Sequence, residues 1–141
     1  MNRLGTLALF AALALLVAAC EPFGDEDKEN LKKDCGAAPT QMTSHPNLPG
    51  KFPDAKGIVY TSVKQDGPAT VASGYLNLTI GPAHQAYSKA VKSASGYTVT
   101  KEEQDAADSE VNFEGNGKSG QVKMVQTCKG RTSVTITIRP A

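Results

Sequence analysis

From residue 57 onward, hydrophobic positions mostly recur at every second residue, and one stretch breaks that rhythm. Ile58 to Val63 is rich in β-branched and aromatic residues and predicts a first strand, closed by the turn-forming Asp66-Gly67-Pro68. Val71 to Ile80 predicts a second strand with Leu76, Leu78 and Ile80 on one face, so the two pair as a hairpin. From Pro82 the period lengthens: Ala83, Ala86, Tyr87, Ala90, Val91 and Ala94 recur at three- and four-residue spacing and form one apolar stripe. Pro82 suits the first helical position, where its missing N–H costs nothing. Lys89 and Lys92 fall off the stripe, Gly96 suits a left-handed cap, and Tyr97 follows as its hydrophobic partner. A stripe built largely of alanine predicts a helix lying close against a sheet.

After the helix the period returns to two. Tyr97 and Val99 alternate with threonines, Asp105 to Asp108 make a polar turn, and Val111 and Phe113 alternate with polar residues. Asn116-Gly117 predicts a two-residue type I′ hairpin loop. That loop sets Gly115 opposite Lys118, Val111 opposite Val122 and Glu110 opposite Lys123, so apolar meets apolar and opposite charges face each other. The last hairpin turns at Lys129-Gly130-Arg131. A two-residue loop there mixes the faces. A three-residue loop sets Met124 opposite Ile136, Val122 opposite Ile138 and Cys128 opposite Thr132, which keeps one face apolar and points Cys128 to the core. The elements run β-β-α-β-β-β-β. They predict an α+β domain over residues 57–141, an antiparallel sheet of about six strands with one helix on its apolar face.

Upstream of this domain the composition changes. Glu21 to Asp34 holds six acids and three bases without apolar periodicity after Phe23, and Pro39, Pro46, Pro49 and Pro53 then fall among Gly, Ser and Asn. Such composition predicts a tether over residues 20–56. Fourteen flexible residues between Cys20 and Cys35 would span about 20 Å. Ahead of the tether, Arg3 precedes an apolar run from Leu4 to Ala19, 16 residues long and shorter than the roughly 20 of a spanning helix. The run closes with Leu15-Leu16-Val17-Ala18-Ala19-Cys20, the basic start, apolar middle and small residues of a secretory signal.

With a cysteine directly after the small pair, this segment resembles the lipobox signal peptide of bacterial lipoproteins. The resemblance covers about the first 20 residues. It implies removal of residues 1–19, a diacylglyceryl thioether on Cys20 and usually acylation of the new amino end. The implied location is the extracytoplasmic face of a bacterial membrane, with the outer membrane as the default in a host that has two, because Glu21 rather than aspartate follows the cysteine. Two or three acyl chains give stable anchoring. Lipidation of Cys20 would leave Cys35 and Cys128 as a pair, and an oxidising envelope would join them. Closing a 93-residue loop would stabilise the domain by about 4–5 kcal/mol.

Charge and composition narrow the function by exclusion. The mature chain carries 14 basic and 14 acidic side chains, without the basic face a nucleic-acid partner requires. The absence of Trp and the 6% aromatic content offer little stacking platform for bases or sugars. His45 sits before Pro46 in the tether, and His84 reads as an exposed residue in the first helical turn. Neither has a carboxylate or nucleophile nearby in sequence, and acid–base or nucleophilic catalysis needs one. Glu102, Glu103, Asp105, Asp108 and Glu110 form the densest charge cluster, but a calcium loop needs regular spacing and a turn glycine. A solvated turn is the simpler reading, with calcium the alternative. Gln121, Lys123, Thr127, Ser133, Thr135, Thr137 and Arg139 share the outward face of the last strands. They fit a solvated sheet surface, or a surface that receives a protein or glycan. The sequon Asn77-Leu78-Thr79 falls within a predicted strand and is discounted for glycosylation.

Together these features predict a lipid-anchored, non-catalytic binding module of the envelope, with no catalytic, cofactor or metal residues and an unknown protein or glycan as partner. The alternative is an inhibitor of an exogenous hydrolase, since small disulfide-bearing lipoproteins of similar size inhibit lysozyme. Their loop motif is not matched here: in Ser73-Gly74-Tyr75 the tyrosine comes too early, and a central helix is unexpected. A small envelope enzyme, with a site assembled from distant residues, is the third reading.

Overall fold

A computed structural model describes residues 25–141. A short helix α1 (Asp25–Asn30) and a 3-10 turn (Pro49–Lys51) precede β1 (Val59–Asp66) and β2 (Ala69–Leu76). Then come α2 (Ile80–Ser93), β3 (Tyr97–Gln104), β4 (Asp108–Gly115), β5 (Lys118–Cys128) and β6 (Arg131–Pro140). The strands form one antiparallel sheet in the order β1-β2-β6-β5-β4-β3. The class is α+β, a six-stranded antiparallel sheet with one main helix packed against it. In detail the chain order differs from the expected one, because α1 and the 3-10 turn stand ahead of β1.

Topology explains where α2 lies. It connects β2 to β3, four strand positions apart, or roughly 19 Å at about 4.8 Å per step. Fourteen helical residues reach about 21 Å, so the helix crosses the sheet and touches β3, β4, β5 and β6 on the way. Its inward stripe is Ile80, Ala83, Tyr87 and Val91, all buried, while Ala86 and Ala90 are half-buried on its flank. These side chains meet Val111, Phe113, Val122, Met124, Val134, Ile136 and Ile138, each at most 1% exposed.

The helix begins two residues earlier than Pro82, and β2 ends at Leu76, so Leu78 and Ile80 do not alternate along a strand. Thr79 at the helix start makes no side-chain cap. Instead the Ile80 N–H donates to the buried Gln126 side chain at 2.9 Å, and Thr132 donates to the Leu78 carbonyl at 2.8 Å. Strands β5 and β6 thus cap the helix. Pro82 still falls in the first turn, where N–H groups lack an intrahelical partner.

The Asn116-Gly117 hairpin has the expected register: Gly115 faces Lys118, Val111 faces Val122 and Glu110 faces Lys123. Both loop residues have positive φ (49° and 69°), as a type I′ turn requires. The last hairpin differs from expectation. Val122 pairs with Ile136, Met124 with Val134 and Cys128 with Arg131, around a two-residue turn. An irregularity between Gln126 and Cys128 adds one residue to β5, and this restores the apolar face that a tight turn would otherwise have scrambled. Thr132 is fully buried on the helix side. By alternation Arg131, and Cys128 opposite it, lie on the other face, not on the core side.

The expected tether boundary at residue 56 is also revised. Leu48, Phe52 and Ala55 are buried in the core, at 5%, 6% and 1% exposure. Phe52 packs on Phe113 (ring centroids 4.4 Å apart) and edge-on to Tyr97 (5.7 Å). The Met42 N–H donates to the Tyr60 carbonyl on the outer edge of β1, and the Gly50 carbonyl accepts from Tyr97 and Asn116. Residues 42–56 are a strap of the domain, irregular in backbone because prolines punctuate it, and apolar at the positions that face the sheet.

Two outcomes test this arrangement. A chain cut to residues 57–141 should be unfolded by circular dichroism, and Phe52→Ala should lower stability by about 3–5 kcal/mol in urea; cooperative melting of the cut chain would contradict the strap. Replacing Cys35 and Cys128 together by Ser should lower stability by up to about 4–5 kcal/mol, and reduction of the unaltered chain should reproduce that loss.

Candidate functional site

Cys20 and the signal segment lie outside the described residues. Cys35 and Cys128 are joined, with Cα atoms 5.2 Å apart across 93 residues of sequence. The staple is reinforced by the Lys129 N–H donating to the Lys33 carbonyl and by Arg131, which donates to the Gly36 and Ala37 carbonyls at 3.2 Å. The same guanidinium lies over the Tyr75 ring, 5.4 Å from its centroid. The aromatic on the helix-free face of the sheet is therefore covered.

The fold gives His45 a partner that lies nine residues along the chain. Its Nε2 is 2.7 Å from Asp54 Oδ2, and the ring stands edge-on to Tyr60. Tyr60 donates to Asp54 Oδ1 at 2.6 Å. Burial, then the neighbouring Tyr87, then the bond to Asp54 raise the Tyr60 phenol far above its ordinary value, and burial raises Tyr87 as well. Both oxygens of Asp54 are thus engaged, one by His45 of the strap and one by Tyr60 of β1. A cleft of about 110 Å³ beside His45 is lined by residues 41–46, Ile58 and Tyr60. That is space for a few waters. Thr43 and Ser44 line the cleft without a hydrogen bond to His45 among the described residues, so the arrangement clamps the strap to β1 and presents no activated nucleophile.

His84 is not the exposed residue expected from its place on the helix, for its side chain is only 13% exposed. Its Nε2 is 3.6 Å from Glu102 on β3, too far for a hydrogen bond, while Lys92 contacts the other Glu102 oxygen at 2.6 Å. The Lys92 ammonium first, and Ser88 second, hold the Glu102 carboxyl below the usual carboxylate range. His84, Ser88 and Lys92 are four residues apart on α2, so one helix face meets one strand residue.

The remaining acids disperse. Glu102 faces Val111 on the helix side, whereas Glu103 faces Glu110 on the other. That like-charged pair is relieved by Lys101 at 2.6 Å from Glu103, and by Gln121 at 3.0 Å and Lys123 at 3.8 Å from Glu110. Division between two faces is the wrong geometry for one calcium ion. The outward residues of β5 and β6 form a polar surface as expected, with Gln121 also bonded to Asn112 and Ser133 to the Val125 carbonyl.

One surface feature was not foreseen, a groove along the flank of α2. Lys56, Gly57, Leu76, Asn77, Leu78 and Ala86 line a hollow of about 520 Å³. Asp54, Lys56, Ala86, Lys89, Ala90 and Ser93 line a second, of about 350 Å³, that shares Lys56 and Ala86 with the first. The strap turn at 54–57 is one wall, the 76–78 connection closes one end, and the two half-buried alanines are the floor. Ala86 and Ala90 belong to the alanine stripe read from the sequence, but they lie at its edge and face the groove.

For the helix–strand contact, Lys92→Met is expected to destabilise the domain by under about 1 kcal/mol at neutral pH. Because Glu102 titrates lower in the folded chain, that contribution is present above the unfolded carboxyl value near 4.5 and fades as pH falls through the lower folded value. Urea melts of both proteins should therefore differ at pH 7 and converge near pH 2–3. Comparison with protein-family models and with curated proteins finds no match for the chain, so its own residues carry the functional reading.

Proposed function

We propose that the protein is a lipid-anchored lipoprotein of the bacterial cell envelope, acting as a non-catalytic binding module. Leu15 to Cys20 supports the anchor, through the resemblance of that run to a lipobox. The observation that carries the binding half is the groove beside α2: an open, mainly apolar hollow on a scaffold closed by a disulfide, of the size and lining that bind small ligands. The polar clusters add weight, since Asp54 is taken up by His45 and Tyr60, and Glu102 by Lys92. The hydrolase-inhibitor alternative calls for a protruding anchor loop. The turns at Gly67-Pro68, Asn116-Gly117 and Lys129-Gly130 are tight and polar, which favours binding over inhibition.

Detergent extraction of native membranes tests the anchor. The full chain should partition into the detergent phase with an acylated Cys20 by mass spectrometry, and Cys20→Ser should move it to the aqueous phase. A bare cysteine in a freely soluble product would overturn the anchor. Mild crosslinking before extraction tests the rest: a co-purifying ligand or partner supports a binding module, and turnover of an envelope substrate without any companion overturns it.

A further inference from the structure

We infer that the α2 groove binds a single long-chain fatty acid, its alkyl tail against Leu78 and Ala86 and its carboxylate between Lys56 and Lys89. This rests on the binding reading above and names the ligand class for that site.

The groove consists of two hollows, both mainly apolar in lining, that share Lys56 and Ala86. At one, the half-buried Leu78 and Ala86 offer aliphatic carbon, and the backbone behind them is held by the bonds from Thr132 to Leu78 and from Ile80 to Gln126. At the other, Lys89 and Ser93 stand on α2, while Lys56 on the strap reaches both hollows. Neither lysine has an ion-pair partner among the described residues. Asp54, the acid at the rim, is occupied by His45 and Tyr60. An apolar trough flanked by two unpaired ammonium groups, Lys56 along it and Lys89 in the second hollow, matches one apolar tail ending in one anion. The floor fits the tail as well: Ala86 and Ala90 carry no atoms beyond Cβ, so an alkyl chain can lie against the helix itself. An aromatic ligand would find no aromatic side chain in either hollow to stack on.

The test uses the full chain with Cys20→Ser, so that no attached lipid competes. Amide shifts are followed by NMR while dodecanoate is added below its micelle-forming concentration. Saturable one-site shifts at residues 54–57, 76–78 and 86–93 are expected. Dodecyltrimethylammonium, with the same tail and the opposite charge, should bind at least about fivefold more weakly. Lys56→Gln and Lys89→Gln should each weaken dodecanoate by about two- to fivefold, the worth of an exposed ion pair. Ala86→Gln and Ala90→Gln fill the floor with a good helix former and should abolish the shifts, while the amide spectrum away from the groove stays that of the folded chain.

The inference is overturned by no shifts, by shifts outside the groove, by equal binding of the cationic amphiphile, or by binding only to phosphatidylglycerol vesicles. Concentration-dependent shifts at the groove without ligand would also overturn it, because they would make the groove a contact between two copies. If dodecanoate fails while crosslinking recovers a partner, the ligand class falls and the binding reading stands.

Discussion

One apolar sheet face must be covered, and a single helix cannot cover it. Most inward residues of the six strands lose their water on that side, from Tyr60 and Ala72 towards one edge to Phe113 and Tyr97 towards the other, with Val63 and Val99 half-buried. Helix α2 lies over β3 to β6. The strap packs beside it, placing Phe52 on the Tyr97–Phe113 pair of β3 and β4 and Ala55 within the same cluster. A strap has no internal hydrogen-bond ladder to hold its shape, so it must be fixed from outside. The bonds from Met42 to Tyr60, from His45 and Tyr60 to Asp54, and from Tyr97 and Asn116 to Gly50 do this at intervals along its length. Upstream, the disulfide limits how far the strap can open.

Local pattern was enough to read the elements whose causes are local. The 3.6-residue stripe gave α2, and Asn116-Gly117 gave a register that holds at every pair from Asp108 to Gly115. Where the cause is distant, reading failed. The extra residue in β5 leaves no mark in composition, so the β5–β6 register came out two residues away from the true one. Leu48, Phe52 and Ala55 follow neither helical nor strand spacing and sit among prolines, which is how linkers also look. Their apolar identity was the available signal, since a solvated tether has no use for a phenylalanine. His45–Asp54 and His84–Glu102 form because the strap folds back and because β3 lies beside α2, neither of which spacing reveals. The groove went unread for the same reason, since one wall is the strap.

The strap gives the disulfide a second role. Cys128 is at the end of β5, an interior strand bonded on both sides to β4 and β6. On the proposed anchor, any pull along the chain from Cys20 reaches Cys35 first and passes through the sulfur bridge into the sheet. Residues beyond Cys35, including the strap wall of the groove, are shielded from that pull. The Lys129–Lys33 bond and the Arg131 contacts to Gly36 and Ala37 share the load at the same place. Cys128 pairs with Arg131, beside the Thr132 that bonds the Leu78 carbonyl, so the bridge anchors the same end of the sheet that carries the 76–78 connection. A domain held this way would keep the proposed groove independent of whatever the spacer between Cys20 and Cys35 does.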